Sequence, residues 1–196
     1  MDVTEVAEIK PAENRQSKFI GVYIGVLAAI LAICSLGGDN AAKDAMRANV
    51  DATNLWAFFQ AKNVRRTVYT TAADDMELVL LANPSLTPEA RAAVTTKVKE
   101  YRDRVTLFSS DKKTNEGLDE LFIKGKGIEK DRDLALRKDP YFDAAQAMLQ
   151  IAIVLASVAL IAEVGLLVVF SLGLAILGTG LMLNGFLLLV ELPFFG

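Results

Sequence analysis

The chain has 196 residues, 53% of them apolar, with a formal net charge of −3 and no histidine. Its apolar share exceeds the roughly 45–50% of soluble domains and is gathered in blocks, which points to a membrane protein rather than a large soluble core. The slight negative charge gives no electrostatic case for nucleic-acid binding. The single cysteine, Cys34, allows neither an intramolecular disulfide nor a cysteine-rich metal site, and the lack of histidine removes the commonest metal ligand and general base.

Residues 1–18 are polar, mixed in charge and interrupted by Pro11, and read as a flexible tail. Residues 19–37 (FIGVYIGVLAAILAICSLG) are uncharged and fit a first transmembrane helix, which needs about 20 apolar residues. A cleaved signal peptide is the competing reading, but its apolar core would be shorter and Gly37-Gly38-Asp39 is a poor cleavage site, so a retained anchor is favoured. Gly21 and Gly25 have GxxxG spacing, which lets helix backbones approach closely in lipid.

Residues 39–82 read as one long helix capped by Asp39 or Asn40. Its stripe is Met46, Val50, Thr53, Ala57, Ala61, Val64, Val68, Ala72, Met76 and Val79. The mean step of about 3.67 is close to an eleven-residue repeat and predicts a nearly straight or slightly right-handed packing seam. Trp56, Phe58 and Phe59 form an aromatic cluster, more commonly a helix–helix core than a ligand box. NPSLTP at 83–88 stops this helix, because each proline disfavours helix just before it, and Ser85 or Thr87 can cap the next. That helix runs to about Phe108 with Val94, Val98, Tyr101, Val105 and Phe108 on one face. Residues 109–117 are turn-like. Helical pattern returns at 118–138, and Asp139-Pro140 is expected to end or kink it.

Tyr141 and Phe142 stand where interfacial aromatics are expected. Beyond Asp143 only Glu163 and Glu191 are charged. This block is too long for one membrane helix and suits two, at 143–162 and 166–190, turning near Glu163 to Gly165, with a short tail at 191–196. The expected fold is therefore an all-α integral membrane protein. It has three transmembrane helices and a long antiparallel helical hairpin, residues 38–140, inserted between the first and second.

The segments GGDNAAKDAMRANVDATNLWAFFQAKNVRRTVY, RKDPYFDAAQAMLQIAIVLASVALI and LMLNGFLLLV resemble a family of bacterial membrane proteins known only as a domain of unknown function. The resemblance spans about Phe19 to Val190. It implies three transmembrane helices with a helical domain between the first two, and it brings no activity, cofactor or catalytic residue. Family members are often basic in the turn between the last two helices, whereas Ala162-Glu163-Val164 is not. Of the 21 basic residues, 18 lie in the central segment, but long domains cross membranes largely regardless of charge. The expected placement is the bacterial inner membrane, with the amino end cytosolic and the helical domain periplasmic.

Candidate chemistry is sparse. Asp74, Asp75 and Glu77 form the densest acidic cluster, yet lack the neighbours a cation or acid–base site requires, and read as a solvated face. Arg65-Arg66 reads as solvated or headgroup-facing. Gly125-Lys126-Gly127 lacks the spacing of a phosphate loop. Polar groups in membrane spans carry more weight because lipid penalises them. Glu163 and Glu191 sit at expected boundaries, and Asn184 lies deeper, where its amide can bond a neighbouring helix.

The reading that follows is a non-enzymatic, membrane-anchored assembly or accessory protein without a cofactor. Its expected partners are the lipid bilayer and copies of itself or a larger membrane complex, with contacts through Gly21, Gly25, Trp56, Phe58, Phe59 and Asn184. The alternative is a subunit of an oligomeric ion- or proton-translocating assembly.

Overall fold

The computed structural model describes residues 11–193, with side chains from Ser17 onward. All regular structure among them is helical: α1 (Pro11–Ala82), α2 (Pro88–Ser109), α3 (Leu118–Ala162) and α4 (Gly165–Leu187). α1, α3 and α4 each contain a stretch long and apolar enough to cross a membrane.

Most boundaries follow from local chemistry. The Thr87 hydroxyl oxygen accepts the Ala90 N–H at 3.2 Å and Pro88 opens α2, so a side-chain cap and a residue without an N–H together satisfy the helix start. Between α2 and α3, the Asp111 carboxylate accepts the N–H groups of Lys113 and Thr114. Glu120 reaches back to the Ser110 hydroxyl (2.6 Å) and the Asp111 N–H (3.1 Å). The α3–α4 turn lies where the sequence placed it, with Glu163 left-handed at φ 56°.

Four expected boundaries are corrected. The tail expected over residues 1–18 is helical from Pro11, while its first ten residues lie outside the described ones. α1 does not restart at Asp39 but passes unbroken through Gly37-Gly38. Both glycines are buried and receive the Phe142 side chain, and a Cβ on Gly37 would stand 2.5 Å from Phe142 Cε1. They act as a notch in a helix flank rather than as a terminus. α3 likewise continues through Pro140, which costs it the bond to the Leu136 carbonyl but does not end it. α4 stops at Leu187, short of Val190, because Leu188 turns left-handed (φ 48°) and its N–H bonds the Asn184 carbonyl.

The chain divides into two compact units, residues to Ala45 together with those from Asp133, and Met46–Arg132. α1 and α3 contribute to both.

The first unit has a core of Leu27, Cys34 and Ala41 from α1, Phe142, Ala145, Leu149 and Ala152 from α3, and Ala175 and Met182 from α4. On α3, Phe142, Ala145, Leu149, Ala152, Ala156 and Ala159 are buried in steps of three and four. Ser171, Ala175, Gly178, Met182 and Gly185 repeat that spacing on α4. Two such small-residue seams bring helix backbones close together. Their pairing is antiparallel, with Ser171 on Ala152, Gly178 beside Ala145 and Leu149, and Gly185 against Phe142. Tyr141 and Phe142, expected at an interface, are instead 4% and 1% exposed. The Tyr141 hydroxyl donates to the Val190 carbonyl and accepts the Leu192 N–H, tying down the chain after α4.

In the second unit, α1 pairs antiparallel with α2 and with the start of α3, as the hairpin expectation requires. Tyr69 meets Tyr101 and Phe108, while Trp56 meets Phe122. The expected α2 face is the one that packs, with Val98 buried. The expected stripe on α1 is not, apart from Ala72 and Met76, which are half-buried. Met46, Val50, Val64, Val68 and Val79 are 45–73% exposed. The opposite side of α1, bearing Ala52, Trp56, Phe59, Tyr69 and Ala73, faces its neighbours because aromatic rings bury more apolar area than valine and alanine.

Candidate functional site

One side-chain constellation in the second unit is built around Trp56. α3 presents Gly125 to it, and a Cβ there would lie 2.7 Å from Trp56 Cζ2, so the indole packs directly against glycine. The indole N–H donates to Glu129 Oε1 at 2.9 Å, and Lys126 Nζ holds the other carboxylate oxygen at 2.7 Å. The Lys126 ammonium also stands 5.9 Å from the Trp56 ring and 6.0 Å from Phe122, within cation–π range. Phe59 meets Trp56 edge-on with centroids 5.4 Å apart. The Lys126 ammonium, and then the indole N–H, hold Glu129 below the ordinary carboxylate range. Each polar group thus has a partner inside the cluster, whose chemistry is that of a lock between α1 and α3.

The sequence-selected residues therefore fall into separate places. Trp56 and Phe59 pack within the second unit. Phe58 is 43% exposed, with Lys62 5.7 Å from its ring centroid. Asp74 and Glu77 are not simply solvated, since both grip Arg102 of α2, Glu77 through two bonds of 2.9 and 3.2 Å. Asp75 and Arg65 are exposed.

In the first unit, Gly21 and Gly25 are exposed, and a Cβ added to either would meet nothing within 4 Å among the described residues. Asn184 uses its amide on the chain that follows it, donating to the Val190 carbonyl at 2.8 Å and accepting the Val190 N–H at 2.9 Å. Glu191 pairs with Arg137. Glu163 is exposed at the α3–α4 turn, beside a recess of about 230 Å³ that Ser17, Ile20, Leu160 and Val168 also line.

Sequence reasoning missed the polar thread that crosses the apolar helices. Ser171, fully buried, donates to the Ala152 carbonyl at 2.7 Å and so accepts from the Tyr23 hydroxyl at 3.0 Å, joining α1, α3 and α4. The three-and-four spacing of Ser171 with Ala175 and Gly178 was the available signal. Gly37, Gly38 and Gly185 were missed as well. Their role is visible only once Phe142 is brought against them.

Compared with known families, residues 16–188 match the model described as a domain of unknown function, DUF4337. No curated protein and no solved structure matches the chain.

Proposed function

Because the chain belongs to the DUF4337 family, we propose a function built from its own packing, that of a non-enzymatic, multi-pass protein of the bacterial inner membrane acting in assembly. In this reading α1, the second part of α3 and α4 cross the bilayer, the amino end is cytosolic, and Met46–Arg132 forms the periplasmic body of a helical hairpin. That body joins copies of the chain or a larger membrane complex.

The observation that carries the reading is the inverted arrangement of the first unit. Alanine, serine and glycine predominate in its seams beside Phe142, Leu149 and Met182, while Val22, Ile161, Val169 and Ile176 are 64–84% exposed with no charge among them. An apolar exterior of that extent is costly in water and favourable against lipid tails. Small-residue seams and a satisfied hydroxyl thread are what holds helices together where lipid removes the hydrophobic drive between them.

Chemical cross-linking followed by mass measurement in native membranes tests the proposal. Discrete assemblies larger than one chain are expected, and a monomer without partners would overturn it. Proton flux through the same membranes that disappears in Glu163→Gln would replace assembly with translocation as the working function. A membrane-impermeant thiol reagent applied to intact cells carrying a Thr95→Cys chain tests the orientation, with labelling expected and protection reversing it.

A further inference from the structure

The exposed stripe of α1 lies opposite the side that packs within the second unit, and it is ordered. Met46, Ala57, Val68 and Val79 recur every eleven residues, with Val50 and Ala61, then Thr53 and Val64, on the same period. That repeat keeps one seam facing a neighbouring helix over three turns per eleven residues, with a slight right-handed supercoil. Met46 is 73% exposed, Val64 62% and Val68 61%. The one polar group on the seam before Ala72, the Thr53 hydroxyl, already donates to the Asn49 carbonyl at 2.8 Å, so its methyl can be buried without leaving an unmatched donor. Asp75 interrupts the third row near the far end.

From this arrangement we infer that residues 46–79 of α1 pair in parallel with the same stripe of a second copy. The inference rests on the proposed membrane anchoring and names the partner and surface of that assembly.

Three observations select the occupant. First, the partner must offer an unbroken helical face of the same period and length. α2 has 22 residues, and α3 contributes only Leu118–Arg132 to this unit, whereas α1 crosses it without a break. Second, the edges of the stripe differ. Within 46–79, Asn54 and Arg65 line one edge, and Asn49, Gln60 and Thr71 the other. A parallel two-fold pair sets Arg65 against the neutral edge, while an antiparallel pair turns the two Arg65 edges toward each other. Third, the area is sufficient. A stripe about 50 Å long and about 10 Å wide gives about 1,000 Å² over two copies, the lower bound for a specific interface. Copies confined to one bilayer in the same orientation need no more, because their effective concentration is high.

The test uses the full chain in native membranes with single cysteines at Val50, Val64 or Val68. Thr95→Cys and Lys130→Cys serve as exposed controls on α2 and α3. Cys34 stays in place, since it is fully buried, and the unsubstituted chain reports on it. Mild oxidation is expected to join each stripe position to itself on the order of tenfold more than the controls, because a disulfide requires Cβ atoms about 4 Å apart. The pair Val64→Arg and Val68→Arg is expected to weaken association by about a hundredfold to a thousandfold, as an unpaired buried charge does, with helical content unchanged by circular dichroism. Preferential joining of a Val50→Cys copy to a Val79→Cys copy would overturn the parallel arrangement. Assemblies seen by amine cross-linking, with stripe disulfides no stronger than the controls, would overturn the self-pairing while leaving the proposed assembly function standing. A monomer by both methods would end both.

Discussion

In the first unit Ala145, Ala152, Ala156, Ser171 and Gly178 are inside while Ile161, Val169 and Ile176 face outward. In the second, Trp56, Phe59 and Tyr69 turn inward and the surface carries lysine, arginine, aspartate, glutamate and threonine beside exposed apolar groups. The same polymer thus sorts its side chains by opposite rules along two of its helices. Where water surrounds the helices, large apolar groups gain most from the interior. Where lipid surrounds them, as proposed for the first unit, apolar groups gain little by turning inward, and close backbone approach through small residues favours packing. The exposed stripe of α1 breaks the second unit's rule, and the pairing inferred above rests on that exposure.

The contrast can be broken or sharpened by substitution. The largest effect is expected at Phe142, among the described residues the one ring less than 2% exposed, seated on Gly37, Gly38 and Gly185. Phe142→Ala should cost about 3–5 kcal/mol in thermal unfolding of the chain in detergent or lipid. Phe122→Ala, at a ring 49% exposed in the second unit, should cost under about 1 kcal/mol. Equal costs would mean that the two units do not differ as described.

Next comes a pair of exposed isoleucines. Ile176 is 64% exposed in the first unit and Ile123 73% in the second. Ile176→Arg should cost about 3 kcal/mol of membrane insertion, measured by glycosylation mapping of the span. Ile123→Arg should change stability by no more than about 0.5 kcal/mol. Tolerance of arginine at both positions would remove the lipid from the explanation.

A smaller loss, about 1–3 kcal/mol, is expected for Gly125→Ala, because the added methyl must displace the Trp56 ring. Trp56 is the chain's only tryptophan, so its emission reports the change directly. An unshifted spectrum and unchanged stability would show that α1 and α3 are not locked there.

The mildest perturbation is acidification. Hydrogen bonding holds Glu129 (to Lys126 and Trp56), Glu120 (to Ser110), Glu100 (to Lys97) and Asp111 (to Thr114) below their ordinary titration range. A carboxylate depressed in the folded state stabilises it above the unfolded value, and that contribution fades as pH falls through the folded value. The second unit should therefore loosen below about pH 4, read by Trp56 emission, while the seams of the first unit, built without carboxylates, hold. Loosening on the alkaline side would contradict the sign.

Much of the architecture was legible before any coordinates. The NPSLTP stop, the turn at Glu163 and the apolar stretches within three helices all follow from proline chemistry, glycine placement and run length. The errors share one cause. Gly37-Gly38 and Pro140 carry strong local signals for ending helices, yet both helices continue, because Phe142 fills the glycine notch and packing along α1 and α3 outweighs the cost of one lost hydrogen bond. The α1 stripe shows the same limit. Its period was read correctly from spacing, but spacing cannot say which of two apolar faces turns inward.

What the sequence determined by itself was the helical class and the places where chemistry forbids continuation, since propensity, capping and hydrophobic length act within a few residues. Only the tertiary structure decided which face of α1 is buried, that Trp56 rests on Gly125, that Ser171 links three helices and that Asn184 bonds the chain beyond α4. These depend on which side chains distant in sequence arrive at the same place, and that is set by the competition of all the buried surfaces at once.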